Sequence, residues 1–418
     1  MNHTDWVHKE LKELGMSHGF RYIPREEIEE RLARVRNSMK QQEVETLLVV
    51  QKMDLYYLSG TTQDGILFVP FEGKPLLMIR RELERAKVES PIENIVALNS
   101  NRELPSIIKE HWGRLPYSLG LELDVLPVKD YFRLQDLFPG VRFLDASRIY
   151  RDARKIKTPF EIDLMIAAAK IGFKVYMEAR EILKEGMTEI QFAGLLEAAA
   201  KKYGHEGLLR VRSLNYEAYS WHVLAGSTGG IVSQSDSPMG GLGLSPAFPV
   251  GASFKVIKAH EPILVDFGTC YHGYQVDETR MFTIGKMEQK FIDAYHACRE
   301  IHDAALEEVR PGADCEAIFL KTLRLAEKLG YKESYLGPPG LQTRFIAHGI
   351  GLELNELPFI AQGHSYPLED RMAFAIEPKI VFPGEGSVGL ENTVMVTQSG
   401  YKILTEADQE IFEERRLH

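Results

Sequence analysis

Charge placed inside apolar, strand-like sequence constrains this chain more than any other feature. Asp266 ends the run PILV, Asp277 stands in YQVDETRMFTIG, Glu377 interrupts MAFAIEPKIVF and Glu391 falls in VGLENTVMV; His348 sits in AHGIGLELNELP. An isolated carboxylate buried in such a run costs several kcal/mol or takes up a proton. A fold that buries these segments must therefore compensate the charges, with a basic partner such as Arg or by gathering them around a metal ion.

The local patterns favour gathering. PILVDFG and YQVDETRMFTIG read as two strands, with His272-Gly273 between them as the connection of an antiparallel pair. Such a hairpin can place Asp266 and Asp277 on one edge, facing one point. Gly349 and Gly351 follow His348 closely and let the backbone bend near the imidazole. Carboxylates with one imidazole and no thiolate suit manganese, cobalt, iron or zinc. Two such ions about 3.5–4 Å apart lower the pKa of a bridging water and polarise a carbonyl. The pattern points to a dinuclear hydrolytic centre and does not name its substrate.

At 418 residues the chain exceeds one comfortable core, so two domains are expected. With 44% apolar residues a packed interior is expected, and a net charge of −10 argues against a nucleic-acid partner. Cys270, Cys298 and Cys315 form no CxxC pair, which suits a reducing compartment, and Cys270 reads as core packing rather than a ligand. The N-terminal MNHTDWVHKELKELG is charged throughout, unlike a signal peptide, and no apolar run approaches the length of a bilayer crossing. A cytoplasmic protein with no membrane partner is the expectation.

Residues 24–42 carry Ile28, Leu32, Val35 and Met39 on one helical face. VETLLVV reads as a buried strand, DLYYLSG as another apolar segment closed by Gly60, and ILFVPF with PLLMI as a hairpin around EGK. A boundary is expected near 150–158. Beyond it, residues 160–184 form a helix with Ile162, Met165, Ile166, Ala169 and Phe173 on one face, and Gly186 stops it. Thr188 and Gln191 have capping-box spacing for a second helix. Residues 226–252, rich in Gly, Ser and Pro, read as a long loop or irregular hairpin, either the wall of a site or a surface excursion without a role.

In these motifs, and in this order, the sequence resembles the pita-bread metallopeptidase family, which includes methionine aminopeptidase, aminopeptidase P and prolidase. The matching segments are VDFG with GYQVDETR, then AHGIGLELNELP, AIEP and LENTV. KTPFEIDLMIAAAKI resembles the first helix of the catalytic domain, and residues 24–60 resemble the creatinase-type N-terminal domain of the prolidase branch. The resemblance implies an α+β fold: a pita-bread catalytic domain with a curved antiparallel sheet over 156–418, after a smaller α/β domain over 1–155. It also implies a homodimer, with the N-terminal domain covering part of a partner's site. Asp266 would chelate one ion, Asp277 and Glu391 would bridge the pair, and His348 and Glu377 would complete the other. Glu377 would also help to deprotonate the attacking water, and Thr279 would support the ligands from behind. Two divalent ions are implied, manganese or cobalt first, then zinc or iron.

The chain departs from that pattern in three places. Where the family's peptidases carry a His seven residues after the ligand His, Asn355 stands; the window GLGLSPAFPVGAS lacks the other accessory His; and Gly389 stands where relatives tend to have Arg. Asn355 can donate a hydrogen bond to an oxyanion but cannot shuttle a proton near neutral pH. His222, in SWHVLAG, is the candidate substitute from a neighbouring strand, the alternative being a purely structural histidine. The implied activity is an Xaa-Pro dipeptidase or aminopeptidase acting on short peptides. The alternatives are the same centre acting on a small non-peptide substrate, by hydrolysis or lyase chemistry, and a non-catalytic metal-binding homologue.

Overall fold

The computed structural model describes residues 3–17, 19–214, 221–233 and 237–414. Among these, one compact unit runs through Arg154 and takes in Ser213 and Leu214, and a second begins at Lys155.

The first unit is built on a six-stranded mixed sheet. Its strands are β1 (Thr46–Val49), β2 (Gly65–Pro70), β3 (Leu76–Ile79), β4 (Asn94–Ala97), β5 (Ser118–Leu121) and β6 (Arg142–Asp145), in the order β4-β3-β2-β1-β5-β6. β2 and β3 pair as the expected antiparallel hairpin, while β1, β5 and β6 run parallel. The helix Arg25–Gln41 buries Ile28, Leu32, Val35 and Met39, the four positions on the apolar face. DLYYLSG is helical, Lys52–Ser59: the Gln51 side chain accepts from the Met53 and Asp54 N–H groups, and Gly60 closes the last turn at φ 82°. Short apolar runs carry no period of their own, and here the flanking caps decide.

The second unit combines helices Pro159–Ile182, Glu189–Lys202, Gln289–Leu306 and Cys315–Lys328 with eleven strands among the described residues. These are β7 (Trp221–Ala225), β8 (Ile263–Tyr271), β9 (Tyr274–Ile284), β10 (Phe345–Gly349), β11 (Glu356–Ala361), β12 (Ala373–Ile376), β13 (Lys379–Phe382), β14 (Gly386–Gly389), β15 (Asn392–Thr397), β16 (Gly400–Ile403) and β17 (Phe412–Glu414). They form sheets ordered β17-β9-β8-β7 and β11-β10-β12-β15-β16, plus the hairpin β13-β14.

The expected capping box forms at Thr188 with Gln191, and a second, not read in the sequence, forms at Thr158 with Glu161. The buried stripe of Pro159–Ile182 is rotated from the one read in the sequence: it runs through Leu164, Met165, Ala168, Ala169, Gly172, Val175, Tyr176 and Ala179, and Phe173 is 37% exposed. The reason lies in the sheet beneath. Tyr176 donates to the carbonyls of Val265 (3.1 Å) and Glu278 (2.5 Å). A polar anchor outweighs one aromatic on the opposite face.

The Gly/Ser/Pro-rich stretch is ordered where it is described, residues 226–233 and 237–252; positions 234–236 lie outside the described residues. Met239 and Val250 are buried, and the Gly251 and Gly243 N–H groups bond to the carbonyls of Gly240 (2.7 Å) and Gly251 (3.0 Å). No described helix is long and apolar enough to cross a membrane.

Candidate metal centre

The β8–β9 hairpin turns through His272 (φ 50°) and Gly273 (φ 81°), the left-handed pair that a two-residue hairpin turn requires. In its register Asp266 faces Thr279 and Gly268 faces Asp277. The two aspartates are therefore diagonal neighbours on one face of the pair. β7 adds His222 directly opposite Asp266, with Nδ1 3.9 Å from Oδ2.

The other acids arrive from the second sheet. His348 lies on β10, Glu377 follows the last residue of β12 with its N–H donating to the Ile346 carbonyl (2.8 Å), and Glu391 precedes β15. The two sheets are stitched together at this point. Thr279 and Glu391 exchange main-chain bonds of 3.4 and 3.2 Å, and Thr279 Oγ1 donates to Glu391 Oε2 at 2.8 Å. Thr393 Oγ1 accepts from the Asp277 N–H and donates to the Asp277 carbonyl, both at 2.9 Å. The buried Arg280 guanidinium donates to the carbonyls of Thr279, Glu391 and Ala407 and to Asn392 Oδ1.

This stitching brings ligand atoms of Asp277, His348 and Glu391 within 4.8 Å of one another. His348 Nε2 lies 3.6 Å from Glu377 Oε1 and 3.8 Å from Glu391 Oε1. Its other ring nitrogen is 3.4 Å from the Gly349 carbonyl; a proton assigned there leaves the Nε2 lone pair facing the acids. Glu391 Oε1 is buried and makes no hydrogen bond. An orphaned carboxylate oxygen beside an imidazole and a second carboxylate fits a divalent cation.

A lysine not singled out in the sequence stands on the other side of the cluster. Lys379, fully buried, donates from Nζ to Asp266 Oδ2 (2.8 Å) and Glu377 Oε2 (2.6 Å) and lies 3.6 Å from Glu391 Oε2. Its signal was present as the one basic residue inside AIEPKIVF. Burial pulls the Lys379 ammonium toward losing its proton, but the charges of Asp266, Glu377 and Glu391 hold it well above its ordinary value. Burial would raise the Asp266 carboxyl, yet the Lys379 charge and His222 hold it well below the usual range. Asp277 and Glu391 are pushed well above that range, by burial first and then by Asp266 and by Asp277 respectively. One ammonium thus leaves the Asp277–Glu391 half of the cluster short of positive charge.

Gly389, the position where Arg was expected, now has a physical reason. It pairs with Lys379 across β13–β14, and a Cβ there would lie 2.5 Å from Lys379 Cγ. Asn355 does something other than await a substrate: its Oδ1 accepts from the Arg212 N–H (2.8 Å) and its Nδ2 donates to the Arg212 carbonyl (3.2 Å). Cys270 donates to Glu206 Oε2 (3.3 Å), and burial pushes its thiol well up, so it offers no thiolate.

The pattern of metallopeptidase family M24 matches residues 163–398, and that of the creatinase/prolidase N-terminal domain matches residues 31–156. The chain is 26% identical over 393 residues to the Xaa-Pro dipeptidase of Pyrococcus furiosus, covering 92% of this chain and 100% of that one. It is 29% identical over 300 residues to the Xaa-Pro dipeptidase of Lactobacillus helveticus, covering 71% and 72% respectively. Among solved structures it resembles an Xaa-Pro dipeptidase from Bacillus anthracis, with a TM-score of 0.79, 23% identity, and 92% and 99% of the two chains covered. The prolidase of Pyrococcus horikoshii superposes with a TM-score of 0.76 at 25% identity, covering 91% and 99%. The fold is accordingly the mixed α+β pita-bread arrangement preceded by a creatinase-type domain. With more than half of its length matched and an acid–imidazole cluster inside that stretch, the chain belongs to metallopeptidase family M24, in its prolidase/Xaa-Pro aminopeptidase branch.

Proposed function

We propose that this peptidase opens the Xaa-Pro bond of short peptides as a metal-dependent exopeptidase. The observation that carries the reading is the convergence of Asp277, His348 and Glu391 within 4.8 Å, on a strand framework similar to those of named Xaa-Pro dipeptidases. Asp266 and Glu377 complete the donor set, and manganese or cobalt suits it best, zinc or iron next. A divalent ion bound there supplies an acidified water and polarises the scissile carbonyl.

The chain's own groups do the rest. Glu377 keeps Oε1 toward His348 while Lys379 holds Oε2, so Oε1 is the oxygen of that carboxylate open to an ion and, beside it, to the proton of the attacking water. His222, half-buried beside Asp266, steadies the substrate carbonyl in place of the missing accessory imidazole. Asn355 acts indirectly, by holding the Arg212 backbone. In this reading residues 156–418 carry the chemistry, residues 1–155 form the creatinase-like domain, and the enzyme works as a cytoplasmic homodimer on peptide substrates.

The test is a panel of Xaa-Pro dipeptides offered to preparations loaded with manganese, cobalt, zinc or iron. Turnover is expected with at least one metal, lost on chelation and lost in His348→Ala. Absence of turnover with every loaded preparation overturns the reading.

A further inference from the structure

We infer that this centre takes one divalent ion rather than two, because the Lys379 ammonium stands where the second cation would. The inference rests on the reading of Asp277, His348 and Glu391 as metal ligands and narrows it.

Lys379 Nζ is bonded to Asp266 Oδ2 at 2.8 Å and Glu377 Oε2 at 2.6 Å. An ion coordinated by these two oxygens would have to displace the ammonium or sit within a few ångströms of it. Like charges at that separation in a buried site repel by several kcal/mol, and the lysine has no solvent to move into: its side chain is 1% exposed. Its stem is also fixed from below, since the Lys379 Cγ lies where a Cβ of Gly389 would have to be, 2.5 Å away. The chain has made room for this side chain by giving up a side chain opposite it.

The oxygens of the two glutamates divide the same way. Thr279 holds Glu391 Oε2, while Glu391 Oε1, without a hydrogen bond, and Glu377 Oε1 both face His348. Donors for one ion converge there with Asp277. The lysine supplies charge and clamps Asp266 and Glu377, but an ammonium only donates and offers no coordination position to exchange.

The full-length protein, stripped of metal and equilibrated with Mn(II), decides the matter by bound-metal analysis and electron paramagnetic resonance. The wild type is expected to hold one ion per chain with the resolved hyperfine spectrum of an isolated Mn(II). Lys379→Ala is expected to hold two, with the broadened spectrum of an exchange-coupled pair, and Lys379→Arg to keep one. Two ions in the wild type overturn the inference and leave the peptidase reading standing. A folded Lys379→Ala that still holds one overturns the role given to the ammonium. A folded wild type that binds none overturns the ligand assignment itself. Should Lys379→Ala not fold, the wild-type count and spectrum still decide.

Discussion

Thr279 shows how a single hydroxyl organises this centre. Its Oγ1 donates to Glu391 Oε2 at 2.8 Å, which turns the other oxygen of that carboxylate toward His348. Thr279→Val removes the donor and keeps the shape. We expect Mn(II) affinity to fall about 10–100-fold, as for other groups that orient a ligand, with unfolding free energy lower by about 1–3 kcal/mol; equilibrium dialysis and urea titration measure the two, and Thr279→Ser should restore both. At Gly389 the constraint is space: Gly389→Ala presses its Cβ on Lys379 Cγ, 2.5 Å away, and on the Pro378 carbonyl, 2.8 Å away. Overpacking of this kind costs about 1–3 kcal/mol, and an unchanged melting transition would contradict the packing argument. Residues of this class were only half legible. Asp266, Asp277, Glu377 and Glu391 stand out because charge inside apolar runs needs compensation. Lys379 is as conspicuous, yet its partners depend on a turn between β12 and β13 that no local pattern encodes. Asn355 was visible as a polar group near His348, but its use on the Arg212 backbone depends on a segment far away in the chain.

Elements were most legible where they carry their own stop and start signals: the Thr188–Gln191 capping box and the His272-Gly273 turn both appear in the letters. They were least legible where tertiary anchors decide, as with Tyr176, which rotates the Pro159–Ile182 helix away from the Phe173 face. The hydrogen bond that joins helix Gln289–Leu306 to the first residue of β15 adds a pH dependence. His302 on that helix is fully buried; its Nε2 lies 3.1 Å from Asn392 Nδ2 and its Nδ1 3.2 Å from Asp303 Oδ1. Asn392 Oδ1 already accepts from Arg280 and Thr405, so its amide nitrogen is the donor to His302, which must stay neutral at Nε2. Burial lowers the His302 pKa, only partly offset by Asp303. The folded value then lies below the unfolded one, near 6.5, and the unfolded chain binds more protons between them. This contribution is intact above about pH 6.5 and is lost as pH falls below it, with a limiting slope of about 1.4 kcal/mol per unit. Asp277 and Glu391, raised in the fold, have the opposite sign, so the difference between wild type and His302→Gln isolates the effect. The gap in unfolding free energy should narrow from pH 7.5 to pH 5.5; a constant gap contradicts it.

At the scale of the whole molecule, every candidate ligand lies in the unit that begins at Lys155, and none in the unit built on β1–β6. Metal linkage is therefore expected to act on one unit. Binding that favours the folded state stabilises by about 2.7 kcal/mol at a free ion concentration one hundred times Kd, and this energy should appear where the donors are. Hydrogen exchange is the suitable readout, because it reports opening segment by segment rather than through one global transition. Adding Mn(II) to metal-free protein should slow exchange in peptides covering 263–284, 345–349 and 373–397, where Asp277, His348, Glu391 and the Arg280 and Thr393 stitches reside. Peptides from β1, β2, β3 and β5 should exchange at unchanged rates. The helix Gln289–Leu306 is a finer probe: it backs the site through His302 and Asn392, next to Glu391, and through Cys298, whose Sγ donates to the Val388 carbonyl of β14 at 3.7 Å. Protection that spreads into that helix would mean the centre and its backing pack as one cooperative block. Equal protection of the N-terminal sheet would show that metal binding reports on the entire chain, and would contradict the assignment of the metal to one unit.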